Sequence, residues 1–229
     1  MLRFIVCPKY SSAMVSFTHT EERWNTWSHA FGIVLGVGAG AVLLHFCSKS
    51  GTLWSYIGVF LYLFGMLSSY ISSTFYHAAA LGSLRKQTLR KFDHAAIYWH
   101  IAGSYSPILL VAMRGEALWG WGLFGFIWLC ALVGTFMSFR HLRDHSNLET
   151  ICFVLMGLSI LVAFKPLLHC VSKEVVLWII AEGVFYLVGA LFYSFKGKRY
   201  MHCVFHFFVL AGTLCHLCAV MLMFVEQAC

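Results

Sequence analysis

The feature that most constrains this chain is a series of seven long apolar runs, at about 26–47, 53–77, 93–113, 118–138, 150–171, 175–195 and 202–225. Each matches the roughly 20 residues that a helix, rising about 1.5 Å per residue, needs to cross a bilayer core. The runs are continuously apolar rather than alternating with period two, which argues against barrel strands. Composition points the same way. Sixty percent of the 229 residues are hydrophobic and 11% are charged, whereas soluble domains carry about a quarter charged residues. A single soluble core of this length could not enclose so much apolar surface. The expected fold class is therefore all-α integral membrane, a seven-transmembrane helix bundle spanning 26–225 after a short segment 1–25. Short connections suit antiparallel neighbours within one bundle.

The formal charge of +7 could suggest nucleic acid, but the basic residues sit in the gaps between apolar runs. That is the pattern of loops facing anionic headgroups, so no nucleic-acid partner is expected. One set of segments holds Arg3, Lys9, Arg23, Arg85, Lys86, Arg90, Lys91, Arg140, Arg143, Lys196, Lys198 and Arg199; the opposite set holds Lys49, Arg114 and Lys173, with Lys165 near the end of span five. Twelve basic residues against three or four predict a cytoplasmic N-terminus and, with an odd number of spans, an outside C-terminus. A multi-pass position in the cell (plasma) membrane follows, and residues 1–20 show no cleavable signal. The nine cysteines lie mostly inside apolar segments and read as buried thiols, including the Cys215–Cys218 CxxC, which lacks a second pair. Gly32, Gly36 and Gly40 repeat a small-xxx-small spacing; it lets another helix approach closely, within the bundle or at a dimer interface.

Ionisable groups inside a membrane are costly, and each is a functional hypothesis. With the spans oriented as above, His77 lies at the cytoplasmic end of span two, Asp93 at the start of span three, and His202 and His206 at the start of span seven. Three helices thus bring three histidines and a carboxylate to one membrane level. His202 and His206, four apart, share a helical face. Such pairs grip zinc, and a third histidine would leave one position open for water, the arrangement of a catalytic site. Asp93 could then accept a proton from that water as general base. Ser73, four residues before His77, could orient the water or a substrate carbonyl.

The residues Ser73–His77, Asp93 and His202–His206 resemble the hemolysin III branch of the progestin and adipoQ receptor family. Asn25-Thr-Trp-Ser-His29 looks like that family's motif opening the first helix, and the stretches Ser72–Val111 and Met201–Val220 are similar throughout. The resemblance covers nearly everything after residue 20. It implies seven helices with a cytoplasmic N-terminus, and zinc held by His77, His202 and His206 with Asp93 hydrogen-bonded to the metal water. The wider superfamily includes alkaline ceramidases, and eukaryotic members act as hormone receptors. The short N-terminus and compact loops resemble the bacterial branch.

Other polar residues carry weaker expectations. His29 falls near the histidine depth. His216 lies 14 residues past His202, about 21 Å along the helix and outside the same coordination sphere. Glu182 should lie at a comparable depth to His216 and can pair with it; the family usually has a small residue there. His100 is two turns beyond Asp93, while His45, His141, His145 and His169 fall near span ends. Three functional readings follow. The first is zinc-dependent hydrolysis of a membrane lipid amide or ester, ceramide-like or otherwise acylated. The second is a cytolytic or pore-forming protein, disfavoured because the polar groups concentrate at one end of the helices. The third is a receptor or sensor with structural zinc, disfavoured by very short outer loops.

Overall fold

The computed structural model describes residues 17–140, 147–195 and 197–228. Within them lie seven helical segments long and apolar enough to cross a membrane. The first four are α1 (His19–Ser50), α2 (Leu53–Ala78), α3 (Leu84–Pro107) with its π-helical extension Ile108–Ala112, and α4 (Ala117–Arg140). The fifth combines α5 (Leu148–Gly157), a 3₁₀ stretch Leu158–Ala163 and α6 (Phe164–Cys170); the last two are α7 (Lys173–Ser194) and α8 (Met201–Ala228). The fold is the all-helical membrane bundle that the apolar runs predict. Of the basic and imidazole groups assigned to its connections, Arg3, Lys9, His141, Arg143, His145 and Lys196 lie outside the described residues.

Two helices begin well before their apolar runs. Helix α1 starts at His19, not near 26, because Thr18 and Glu21 close a reciprocal capping box: Thr18 N–H donates to Glu21 Oε2 at 2.8 Å and Glu21 N–H to Thr18 Oγ1 at 3.2 Å. Helix α3 starts at Leu84, not at 93. Gly82 turns the chain at φ 73°, and Ser83 Oγ then accepts from Lys86 N–H at 3.1 Å as N-cap. Arg85, Lys86, Arg90 and Lys91 are therefore helical rather than loop residues. Each early start adds about two helical turns at the end of the bundle where the histidines sit.

Span five is broken by a neighbour. The Tyr105 hydroxyl of α3 donates to the Gly157 carbonyl and accepts from Ile160 N–H at 3.0 Å. That replaces α-helical pairing across Gly157, itself a poor helix former, with a tighter turn. In α3, Pro107 supplies no N–H, and the i→i+5 bond from Met113 N–H to Ile108 O at 2.9 Å closes the π turn.

The spans close into a ring in which α1 packs on α2 and α8, α2 on α3, α3 on α5, α5 on α7 and α7 on α8, with α4 against α3. One core lobe gathers Leu43, Tyr62, Met66, Tyr70, Val220 and Phe224; the other gathers Tyr98, Leu109, Ile127, Ala131, Met156 and Leu167. Gly32, Gly36 and Gly40 lie against Tyr70, Leu67 and Leu63 of α2, so the small-residue stripe serves packing inside the bundle. A Cβ at Gly32 would overlap the Tyr70 ring. Outward faces carry exposed Phe60, Phe64, Leu129, Leu132, Phe136 and Leu191, a surface suited to lipid and not to water.

Candidate metal centre

The early starts of α1 and α3 build the surroundings of three histidines. His77 stands in the last turn of α2; His202 and His206 occupy successive turns at the start of α8. One ligand atom from each of His77, His202 and His206 lies within 4.8 Å of the others. His202 Nε2 is 3.2 Å from His77 Nε2 and 3.0 Å from His206 Nε2. Two nitrogens about 2.0–2.1 Å from a tetrahedral zinc stand about 3.3–3.4 Å apart, so the three nitrogens are close enough together that they could hold a metal ion.

The outer partners of the rings fix which nitrogens face inward. His77 Nδ1–H donates to Glu22 Oε2 at 2.6 Å; an ionised carboxylate only accepts, so His77 Nε2 carries the lone pair. Ser28 Oγ donates to the Asn25 carbonyl at 3.0 Å and therefore accepts from His206 Nδ1–H at 3.1 Å. His206 Nε2 is thereby also a lone-pair nitrogen. A proton on His202 Nε2 could satisfy only one of its two contacts. A cation between the three rings satisfies all of them. Carboxylate–histidine pairing of this kind sets the tautomer and raises ligand basicity at metal sites.

Glu22 is itself held. Its Oε1 is 2.9 Å from Lys86 Nζ, and both side chains are buried. Lys86 also donates to the Tyr76 carbonyl at 2.7 Å and lies over the Tyr76 ring, 4.4 Å from its centroid. The ammonium thus ties α1, α2 and α3 together next to His77, and a buried ion pair is costly to break from one side. Asn25, fully buried, accepts from the Cys203 thiol at 2.9 Å, tying α1 to α8. Phe17 covers the outer side, 4.8 Å from the His202 ring and 5.9 Å from the His77 ring.

Asp93 is not among the converging ligand atoms. It is half-buried on α3, and its carboxyl neighbours Ser73, one helical turn before His77. The next residue, His94, donates from Nδ1 to Glu149 Oε2 at 2.7 Å, and Ser138 donates to Glu149 Oε1 at 2.9 Å. His29 stacks on His206 at 3.7 Å. Glu182 and His216 do pair, at 2.7 Å. His45 and His169 are exposed.

Sequence reasoning passed over Glu22, Ser28, Lys86 and His94. For Glu22 the available signal was the Thr18-to-Glu21 capping box, which makes Glu22 helical and places Glu22, Asn25 and His29 along one face. One consequence is measurable. Glu22→Gln keeps the shape but weakens the acceptor for His77 and leaves Lys86 unpaired. Zinc affinity, titrated against a competing chelator, should fall about 10–100-fold with the saturating stoichiometry unchanged. An unaltered affinity would show that Glu22 does not position His77.

Comparison with known proteins reaches the same region. A family model described as Haemolysin-III related matches residues 17–217. "Hemolysin-3" of Bacillus cereus is 33% identical over 84% of this chain and 87% of its own length. "Monocyte to macrophage differentiation factor" of Homo sapiens is 28% identical over 87% of this chain and 83% of its own. An "ADIPOR-like receptor" of Saccharomyces cerevisiae is 28% identical over 86% of this chain and 69% of its own.

Proposed function

This chain belongs to the haemolysin-III-related family, and from that premise we propose that it is a zinc-dependent hydrolase of a membrane lipid amide or ester. The observation that carries the proposal is the convergence of three Nε2 atoms, with the outward nitrogens of His77 and His206 bonded to Glu22 and Ser28. A zinc ion on three histidines would lower the pKa of a bound water towards about 7 and polarise a substrate carbonyl. The protein's own groups do the rest. His77, His202 and His206 hold the ion; Glu22 and Ser28 orient two of the rings; Asp93 takes the proton that the nucleophile sheds; Ser73 orients the substrate carbonyl or the Asp93 carboxyl. Phe17, beside His202 and His77, shields the centre from bulk water, and the substrate enters from the lipid side. The test is release of free fatty acid from ceramides, N-acyl amines and lysolipids by purified, metal-replete protein in liposomes. Turnover of one of these classes is expected; no turnover on any of them would exclude hydrolysis.

We propose also that the histidine end of the bundle faces the cytoplasm, as the distribution of basic residues suggests. Accessible cysteines near Arg85 and Lys198 should then react only from the cytoplasmic side, and a tag following Cys229 only from outside. Labelling of both positions from one side would refute a seven-span insertion.

A further inference from the structure

The interior stays polar far beyond the three ligands, contrary to the expectation that polar groups gather at one end. About 21 Å along α8 from His202, His216 Nδ1–H donates to Glu182 Oε2 of α7 at 2.7 Å. The imidazole is buried, while the Glu182 side chain keeps 12% of its surface exposed. Since the carboxylate takes the Nδ1 proton, His216 Nε2 presents a lone pair, and that atom is buried without a partner among the described residues. The Tyr62 ring of α2 stands edge-on to His216 with centroids 5.0 Å apart, and its hydroxyl is equally unpartnered. From α3, His100 couples electrostatically to His216 and also buries an unpartnered Nε2.

The line then continues to the metal centre. Tyr70 meets the His100 ring edge-on at 5.6 Å and the His29 ring at 5.1 Å, and His29 stacks on His206 at 3.7 Å. Five of the seven buried polar atoms without a partner among the described residues fall on this one line: both nitrogens of His29, Tyr62 Oη, His100 Nε2 and His216 Nε2. Their clustering on one line points to a shared partner rather than to scattered packing faults. A string of buried donors and acceptors is satisfied by water, each molecule bridging about three groups. Ionisable groups buried in membrane spans are the usual stations of proton relays.

We infer that this line is a hydrated proton path through the bundle, with the Glu182–His216 pair as its proton-accepting station. A hydronium in the path gives its proton to His216 Nε2 and becomes water; His216 Nδ1 passes its own proton to Glu182 Oε2. Glu182 then gives that proton to a second water of the path, which becomes hydronium, and a flip of the imidazole restores the starting pair. One proton moves, and no other reactant is consumed. The groups that interact with the pair are Tyr62 from α2, and His100 and Tyr105 from α3. Tyr186 interacts with Glu182 from α7, and Cys215 from α8. The path does not depend on hydrolysis at the metal centre.

The experiment is proton entry into liposomes holding the purified full chain and a trapped pH-sensitive dye. A pH step is imposed, with potassium and valinomycin clamping the potential. Wild-type vesicles should acidify several-fold faster than protein-free ones. Glu182→Gln should remove that excess while leaving the metal content of the protein unchanged. Tyr62→Phe, which keeps the ring and deletes only the hydroxyl, should slow the excess flux and serves if Glu182→Gln does not fold. Flux no greater than in protein-free vesicles overturns the path, as does full flux in a folded Glu182→Gln protein or, failing that, in Tyr62→Phe.

Discussion

Protein carrying both His202→Ala and His206→Ala should purify with essentially no zinc, against an expected one ion per wild-type chain. Only His77 would remain of the three nitrogens, and a single imidazole does not hold zinc against detergent washing. Packing complicates the double variant, because His206 is 1% exposed and stacked on His29, so its loss opens a void. His202 is half-buried, between Phe17 and Tyr193, and His202→Ala alone is the milder change. It should lower zinc affinity sharply while the protein still elutes as a folded species with native helix content. Elemental analysis of both proteins settles the matter. A double variant that retains full zinc stoichiometry would mean that these histidines are not the ligands.

The seven spans were legible because a spanning helix must be apolar along its whole length and the loops between spans are not. Helix ends were legible only in part. The first turns of α1 and α3 consist mostly of polar residues, among them Glu21, Glu22, Arg85 and Lys86, which a hydropathy reading assigns to loops. Thr18 and Ser83 marked those starts by capping chemistry, a local signal independent of hydropathy. The break in span five left no comparable trace, since its cause is the hydroxyl of Tyr105 on another helix.

The site divides along the same line. His202 and His206 declare themselves by a spacing of four, and the depth of His77 follows from counting spans. The groups that orient them do not, because the contacts Glu22–His77 and Ser28–His206 cross 55 and 178 residues of chain. Lys86 looked like one more headgroup-facing cation. Only the fold shows it buried against Glu22. The Glu182–His216 pair was legible from the shared depth of its members; the line from it to His29 was not, because it runs through residues of five helices, and Tyr62 and Tyr70 read as packed aromatics.

Asp93→Asn should leave zinc content at the wild-type level yet reduce lipid hydrolysis by about 10²–10⁴-fold, the usual contribution of a general base. The two readouts separate because Asp93 is outside the set of converging ligand atoms, beside Ser73 one turn from His77. The asparagine keeps the volume and can still accept a hydrogen bond from Ser73, so packing should hardly change. What it cannot do is take a proton. Ser73→Ala should cost less, since a hydroxyl orients without carrying charge. A zinc ion with a purely structural role predicts the opposite pattern, in which Asp93→Asn alters thermal stability and there is no turnover to lose. Rates that stay at wild-type level in zinc-loaded Asp93→Asn would remove Asp93 from the chemistry. The proton acceptor would then have to be sought among the other groups near the histidines, with Glu22 the first to substitute.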